Sequence, residues 1–232
     1  MTSAKSSRPH RIALIVPSSN TVMENDLHAG LPKAQFTVHT DRMYLVETTR
    51  EAEIRMIEEF AEAAAKDLST LDPDLLVFGC TSAGSLFGLE GDQKVCSKLS
   101  QLAGCPTLGV INAVDAALKA VGAQRLAVLT PYNEDLTQSV AAAVRDGRQI
   151  VGAFGMGITD NVALADPTPE DICVFAQEKL EGLDFDAILV SCTNFRALDA
   201  RESLSLKFGV PVITSNSAVL DAILDRFGEA TA

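Results

Sequence analysis

Short apolar runs alternate with longer amphipathic segments along the chain. The runs, rich in Val, Ile and Leu, predict buried strands, and the segments with a 3.6-residue apolar period predict helices. Strands are predicted over residues 11–16, 36–42, 75–78, 107–111, 126–130, 187–191 and 210–214. Helices are predicted over residues 51–68, 93–102, 113–121, 135–145, 169–180 and 198–208, and from 217 onward. This alternation with short links predicts right-handed βαβ units, and therefore an α/β protein with parallel sheets.

Two further segments carry local sequence signals. Thr21 followed by Glu24 resembles a capping box at the start of a helix. Residues 84–91 are predicted to form a loop, because a glycine stands at each end of the segment.

The predicted elements occur twice in the same order, which indicates an internal duplication. The matched segments are residues 11–18 and 125–132, residues 75–83 and 188–194, and residues 104–108 and 209–213. We therefore expect two similar lobes, with a crevice between them. The predicted boundaries place residues 1–113 and 215–232 in the N-terminal lobe and residues 114–214 in the C-terminal lobe.

Composition limits the classes of partner. Of the 232 residues 47% are hydrophobic and 5% aromatic, so small aliphatic side chains are expected to fill the core. The net charge of −12 argues against nucleic acid and anionic membranes as partners, since both require basic patches. No apolar run approaches the ~20 residues of a membrane span. Residues 1–10 lack the apolar core of a secretory signal, so a cytoplasmic location is expected.

Two cysteines stand at the ends of matched apolar runs. Cys80 and Cys192 are each followed by a Thr and a second polar residue. Because the carboxyl ends of strands in an open α/β sheet border the ligand crevice, one thiol from each lobe is expected to face a common substrate. Backbone N–H groups at the opening of the next helix would bind a carboxylate and lower each thiol pKa. Those N–H groups belong to Thr81, Ser82, Thr193 and Asn194.

A lone cysteine is more often a small buried residue than a reactive one. The matched positions of Cys80 and Cys192 favour a functional pair, whereas the unmatched cysteines are interpreted as structural: Cys96, Cys105 and Cys173. Five cysteines, an odd number, argue against a disulfide framework. A metal site is not expected either, because there is no Cys-x-x-Cys motif and the three histidines lack ligand spacing.

Three further residues are candidates for substrate binding. Asn20 and Tyr132 lie in the loops that follow the first strand of each lobe, so the duplication places them at the same crevice. An amide N–H or a phenolic O–H there can donate to a carboxylate. Asn161 follows a glycine-rich stretch and is either a ligand contact or a turn residue. A helix cap and a partly buried ring are the corresponding alternatives for Asn20 and Tyr132.

These residues resemble the aspartate/glutamate racemase superfamily, and most closely its branch of maleate cis–trans isomerases and arylmalonate decarboxylases. The resemblance covers residues 11–227 and is carried by residues 15–21, 75–80, 130–132, 160–161 and 191–192. It implies two flavodoxin-like lobes related by a pseudo-twofold axis. It also implies that no cofactor is used, that a small carboxylate is held between two cysteines, and that the protein forms a homodimer or higher homo-oligomer.

The chain differs from the sequence pattern of each related enzyme group, and these differences decide which function we expect. Arylmalonate decarboxylases lack the first cysteine, so Cys80 disfavours decarboxylation, and amino-acid racemases typically show Cys-Asn-Thr and Cys-Thr-Glu. Maleate isomerases carry apolar residues after each cysteine, where this chain has polar ones. We expect a cofactor-independent isomerase, most similar to maleate isomerase, with Cys80 and Cys192 as catalytic residues. The alternatives are a racemase using the same thiols, an arylmalonate-type decarboxylase and a non-catalytic carboxylate-binding protein.

Overall fold

Eight strands form two separate four-stranded parallel sheets in the computed structural model, which describes residues 8–228. The first sheet has the order β2-β1-β3-β4 and the second has the equivalent order β6-β5-β7-β8. The strands are β1 (His10–Pro17), β2 (Phe36–Met43), β3 (Leu75–Phe78), β4 (Thr107–Gly109), β5 (Arg125–Thr130), β6 (Gln149–Gly155), β7 (Ala187–Val190) and β8 (Val212–Thr214). The predicted pair of α/β lobes with parallel sheets is therefore confirmed.

The helices connect successive strands and complete the layers around each sheet. They are α1 (Met23–Gly30), α2 (Arg50–Met56), α3 (Glu62–Ser69), α4 (Thr81–Ser85), α5 (Gly88–Ala103), α6 (Val110–Ala120), α7 (Glu134–Ala143), α8 (Pro169–Leu180), α9 (Ala197–Phe208) and α10 (Ser215–Phe227). A π-helical turn, Ile57–Ala61, joins α2 to α3, and a 3₁₀ turn lies at Ala163–Ala165. Within residues 8–228 no helix is long and apolar enough to cross a membrane.

Some predicted element boundaries are wrong. The loop expected over 84–91 instead contains the end of α4 and the start of α5. The strand expected over 107–111 stops at Gly109, because Val110 and Ile111 already form the first turn of α6. A short apolar run is compatible with either a buried strand or a buried helical turn, so periodicity alone does not locate this boundary.

The predicted capping box at Thr21 is also wrong. Helix α1 begins at Met23, and the Asn20 side-chain oxygen accepts hydrogen bonds from the backbone N–H groups of Val22 and Met23, both at 3.0 Å. Glu24 instead forms an ion pair with Arg42 at 2.7 Å. Asn20 is thus the residue that satisfies the free N–H groups at the start of α1.

Alternating side chains of β1 divide between two apolar clusters. Ile12 and Leu14 belong to a cluster that also contains residues of β5 and β7, whereas Ala13 and Ile15 pack on the other face of the first sheet. This division follows the two-residue period of a strand. Helices α6 and α10 pack against each other next to the larger cluster. The larger cluster therefore spans both lobes, and the predicted lobe boundaries stay a prediction.

Strands β3 and β7 hold equivalent positions in the two sheets. Strand β3 lies between β1 and β4, and β7 lies between β5 and β8. The residue after each strand continues the pairing, since Gly79 N donates to Ile15 O at 2.8 Å and Ser191 N donates to Leu129 O at 2.8 Å. Cys80 and Cys192 come directly afterwards. The matched cysteine segments of the sequence therefore occupy matched places in the fold.

Gly79 is packed too closely for a side chain. A Cβ atom there would lie 2.9 Å from the Ile15 carbonyl oxygen, 2.8 Å from the Met23 sulfur and 2.9 Å from a methyl group of Val16. The backbone oxygen cannot move aside without disturbing the β1–β3 pairing. Glycine therefore allows the chain to reach Cys80 while still paired with β1.

We expect Gly79→Ala to lower the free energy of unfolding by about 1–3 kcal/mol, the usual range for overpacking a core. Urea unfolding followed by circular dichroism measures it. Gly30→Ala is the matched control, because its Cβ would meet only the flexible end of the Leu220 side chain, at 2.7 Å. An equal loss of stability in the two variants would show that the contact with the β1 backbone is not the constraint.

Candidate active site

Cys80 occupies the short turn between β3 and α4. Its backbone is extended, with φ −134° and ψ 112°, and α4 begins at the next residue, Thr81. The side chain is buried, with 2% of the residue exposed. The thiol lies 3.4 Å from the Glu53 Oε2 atom, to which it donates, and 3.5 Å from the Ser82 hydroxyl.

Cys192 lies in a different local structure from Cys80. It comes two residues after β7, but α9 begins only at Ala197, so the N–H groups after Cys192 belong to a turn rather than to a helix start. The expectation of a helix opening directly after this cysteine is wrong. The Asn194 N–H still donates to the Cys192 sulfur at 3.2 Å, and the Tyr132 hydroxyl acts in the same direction, since it lowers the Cys192 pKa. Two donors therefore stabilise negative charge on Cys192.

Tyr132 is the third ionisable side chain near the thiols. It stands in the loop after β5, where its N–H donates to the Thr130 hydroxyl at 3.2 Å. Burial raises the Tyr132 pKa well above its usual value, and the charges of Cys192, Cys80 and Glu53 raise it further. These four ionisable side chains therefore form one buried cluster, with groups from both lobes.

Glu53 was missed by the sequence analysis. It is fully buried on α2, and its second oxygen, Oε1, accepts a short hydrogen bond from the Ser82 hydroxyl. In the sequence Glu53 resembles the acidic residues that commonly occupy the first turns of helices, where they interact favourably with the helix dipole. No local signal distinguishes it from its exposed neighbour Glu51. Only the packing of α2 against α4 places its carboxyl group beside Cys80.

A segment over residues 44–49 anchors the start of α2 to the second lobe. Thr48 N donates to Thr159 O at 2.8 Å, and Asn161 N donates to Val46 O at 2.9 Å. Thr49 then caps α2 by accepting from Ala52 N at 3.3 Å. The position of α2, and with it that of Glu53, therefore depends on contacts between the lobes.

The hydroxyl of Thr193 joins the two cysteine turns. It donates to the carbonyl oxygen of Gly79, the residue before Cys80, at 3.1 Å, and it accepts from the Asn20 side-chain amide at 3.1 Å. Asn20 is therefore a helix cap and a support of the second cysteine turn at the same time. Both of its side-chain polar atoms already have partners within the protein.

Asn161 and Asn194 are hydrogen-bonded to each other and to the first lobe. The Asn194 side chain donates to Asn161 O at 2.6 Å and accepts from Thr21 N at 2.8 Å. The Asn161 side chain donates to the Ser19 hydroxyl at 2.6 Å. These bonds place both residues at the junction between the loop after β1 and the turn that contains Cys192.

The predicted site residues are all buried, with no more than 3% of any of them exposed. Thr81 differs from the others, because its hydroxyl donates to Ser215 at 3.0 Å. The remaining predicted residues contact a thiol, support a residue that does, or join the backbone of the two cysteine turns. They are Asn20, Ser82, Tyr132, Asn161, Thr193 and Asn194. Their contacts to substrate stay a prediction.

The expectation of lowered thiol pKa values is wrong for this site. Burial raises the pKa of Cys80 well above its usual value, and the neighbouring charge of Glu53 raises it further. Burial also raises the pKa of Cys192 to about 12, although the bonds from Tyr132 and Asn194 act in the opposite direction. Both sulfurs are therefore thiols at neutral pH. The pKa of Glu53 is raised by burial to about 7.

The arrangement provides two thiols, a phenol and a carboxyl group for proton transfer and nucleophilic attack. In the part of the chain that the structure describes, no group of three or more His, Cys, Asp or Glu side chains is placed to hold a metal ion. The chemistry that these residues support is addition of a thiol to a substrate, together with protonation and deprotonation at carbon.

Comparison with known proteins relates the chain to arylmalonate decarboxylases and maleate isomerases. A model of the arylmalonate decarboxylase family matches residues 12–232. A maleate isomerase of Pseudomonas putida is 30% identical over 228 residues, which cover 93% of this chain and 90% of that protein. A maleate isomerase of Geobacillus stearothermophilus is 27% identical over 228 residues, covering 92% and 90%.

A solved structure shows the same fold. A cysteine-to-alanine variant of the maleate isomerase Iso from Pseudomonas putida S16, with maleate, superimposes with a TM-score of 0.88 at 26% identity, covering 95% of this chain and 93% of that chain. The family model spans nearly the whole sequence, and the two relatives match more than nine-tenths of this chain. The chain belongs to the arylmalonate decarboxylase family, in the branch that also contains the maleate isomerases.

Proposed function

We propose that this protein is a cofactor-independent cis–trans isomerase of a small dicarboxylate of the maleate type. The observation that carries the proposal is the pair of thiols at equivalent strand ends, Cys80 and Cys192, each with a different hydrogen-bonding environment. Maleate isomerases match this chain over more than nine-tenths of its length. Cys80 is the residue whose presence disfavours an arylmalonate-type decarboxylation.

The reaction begins with attack of the Cys80 sulfur on one carbon of the cis double bond, while the thiol proton passes to a neighbouring base, from which it returns when the C–S bond breaks. A C–S bond forms, and the neighbouring carbon takes a proton from Cys192, so the former double bond becomes a single bond. Rotation about this bond brings the two carboxylates to opposite sides. The Cys192 thiolate then removes the proton, the double bond re-forms, and the C–S bond breaks to release the trans product and Cys80.

The surroundings of Cys192 suit the acid in this sequence. After Cys192 has given its proton away, its thiolate accepts hydrogen bonds from the Tyr132 hydroxyl and the Asn194 N–H. Both donors are held by the fold before the reaction starts, so they stabilise the new charge without reorganisation. Substrate carboxylates are expected to bind to the backbone N–H groups and amide side chains of the two cysteine turns.

Two expectations belong to this proposal. We expect the enzyme to act as a homodimer or higher homo-oligomer, since symmetric homo-oligomers are the commonest assemblies of soluble proteins. We also expect a cytoplasmic location, in which the thiols stay reduced.

Proton NMR of the protein with maleate tests the proposed reaction. We expect the fumarate signal to appear with the wild-type protein and to be lost with Cys80→Ala, since the proposed C–S bond is formed by the Cys80 sulfur. Cys192→Ala should lower the rate by about 10²–10⁴-fold, the usual contribution of a general acid or base. Cys173→Ala is the matched control, because this half-buried cysteine lies on α8 outside the site.

Conversion of maleate by Cys80→Ala at the wild-type rate would show that Cys80 is not the nucleophile. If no protein converts maleate, the same samples are tested for loss of the α-proton signal of chiral carboxylates in D₂O. That loss would favour the racemase alternative over the isomerase.

Tyr132→Phe tests the role of the hydroxyl group at Cys192. The ring should remain packed, because only the oxygen is removed, but the thiolate loses one of its two donors. We expect kcat for the isomerisation to fall by roughly 10²-fold, as when one donor to a developing negative charge is removed. Steady-state kinetics measure it, and an unchanged kcat would show that the hydroxyl serves only packing.

A further inference from the structure

We propose that Glu53 is the general base that takes the proton from Cys80, and that it is therefore a catalytic residue. The role in isomerisation rests on the proposed function. The proton transfer itself is a property of the two side chains and can be tested without a substrate.

The geometry around Glu53 is specific. Each carboxylate oxygen has one partner, because Oε2 accepts from the Cys80 thiol at 3.4 Å and Oε1 accepts from the Ser82 hydroxyl. The Ser82 oxygen is itself 3.5 Å from the Cys80 sulfur. The three side chains thus form a closed triangle in which Ser82 fixes the direction of the carboxylate. A base must lie within hydrogen-bonding distance of the proton that it removes, and Glu53 meets this requirement.

The absence of a cation near Glu53 argues against a purely structural role. Carboxylates that are fully buried are normally paired with a positive charge, because burying an unpaired charge is costly. Within residues 8–228 the groups that shift the pKa of Glu53 are Ser82 and Cys80, together with burial, and none of them is a Lys, Arg or His. A glutamine would satisfy the same two donors without this cost. The role of this carboxyl group therefore depends on its ability to gain and lose a proton.

The relative proton affinities set the resting state of the pair, and the proton leaves the sulfur only as the C–S bond forms. The pKa of Glu53 is about 7 and that of Cys80 lies well above its usual value, so above pH 7 the resting pair is a carboxylate and a thiol. The other ionisable groups that act on this cluster are Tyr132 and Cys192, and both stay neutral in that range because burial raises their pKa values. Among residues 8–228, Glu53 is thus the one acceptor acting on Cys80 that ionises near neutral pH.

Transfer to Glu53 also avoids adding a buried charge. Ionisation of Cys80 into solvent would place a thiolate beside the Glu53 carboxylate, and two negative charges at that distance repel strongly in a buried site. When the proton moves from sulfur to Glu53 as the C–S bond forms, the pair keeps a single negative charge until the sulfur becomes a neutral thioether. The proton returns from Glu53 to the sulfur as the C–S bond breaks.

Alkylation of Cys80 by iodoacetamide tests the proton transfer alone. The sulfur attacks the reagent, a C–S bond forms, iodide leaves, and the thiol proton passes to Glu53. Peptide mass spectrometry measures the rate at Cys80 between pH 5.5 and pH 9, with Cys173 of the same samples, which lies outside the site, as an internal reference. In the wild type we expect the Cys80 rate to rise through a midpoint near pH 7 and then level off.

Glu53→Gln keeps the size and the hydrogen-bonding capacity of the side chain but removes the base. We expect the Cys80 rate at pH 7.5 to fall at least 10²-fold and to keep rising up to pH 9 without a plateau. Glu53→Asp, the conservative variant, should restore a plateau at a lower rate. If Glu53→Gln does not fold, the position of the plateau in Glu53→Asp decides the test, because a shorter carboxylate should shift the midpoint.

An identical pH profile for the wild type and Glu53→Gln would overturn the proposal, as would a wild-type Cys80 that does not react at any pH. A midpoint that stays the same in Glu53→Asp, with Glu53→Gln unfolded, would overturn it too. Failure of the proposed function has a different signature. A protein that shows the plateau near pH 7 but converts no maleate retains the Glu53–Cys80 pair and acts on another substrate.

Discussion

The hydroxyl of Thr193 is the contact on which the arrangement of the site depends. This residue comes after Cys192 in the second lobe, and it donates to the carbonyl of Gly79, which precedes Cys80 in the first. One hydrogen bond thus sets the relation between two turns that lie far apart in the sequence. The Asn20 amide holds the same hydroxyl from the other side, and the shared apolar core keeps the sheets from separating. This buried hydrogen bond joins the turn after β3 to the turn after β7, and the two turns together form the site.

Burial at this junction determines how the chemistry proceeds. A solvent-excluded site disfavours every charged form, so the pKa values of Cys80, Cys192, Tyr132 and Glu53 all rise. Free thiolates are then scarce, and protons must pass between neighbouring groups at the moment of bond formation. The two cysteines differ accordingly, because Cys80 contacts an acceptor and Cys192 contacts two donors. A duplicated scaffold has in this way acquired two thiols with different proton partners.

Internal repeats and strand periodicity account for the features that could be predicted from the sequence. The two lobes, the parallel sheets and the equivalent positions of Cys80 and Cys192 were all indicated by matched apolar runs. Features that depend on contacts between distant segments could not be predicted in this way. Glu53 looks like an ordinary helix residue until α2 packs against α4, and the thiol pKa values reflect burial that no local pattern records. The start of α6 at Val110 was missed because apolar residues suit both strand and helix.

The most direct test of the account is whether Cys80 forms a bond to the substrate. Without Cys192, the carbon must take its proton from water, and no base then removes it, so the adduct should accumulate in a Cys192→Ser variant incubated with maleate. Intact-protein mass spectrometry should show a gain of one maleic acid per chain, and peptide mapping should place it on Cys80. A variant that turns over maleate slowly while carrying no adduct, or carrying it on a residue other than Cys80, would contradict the covalent mechanism.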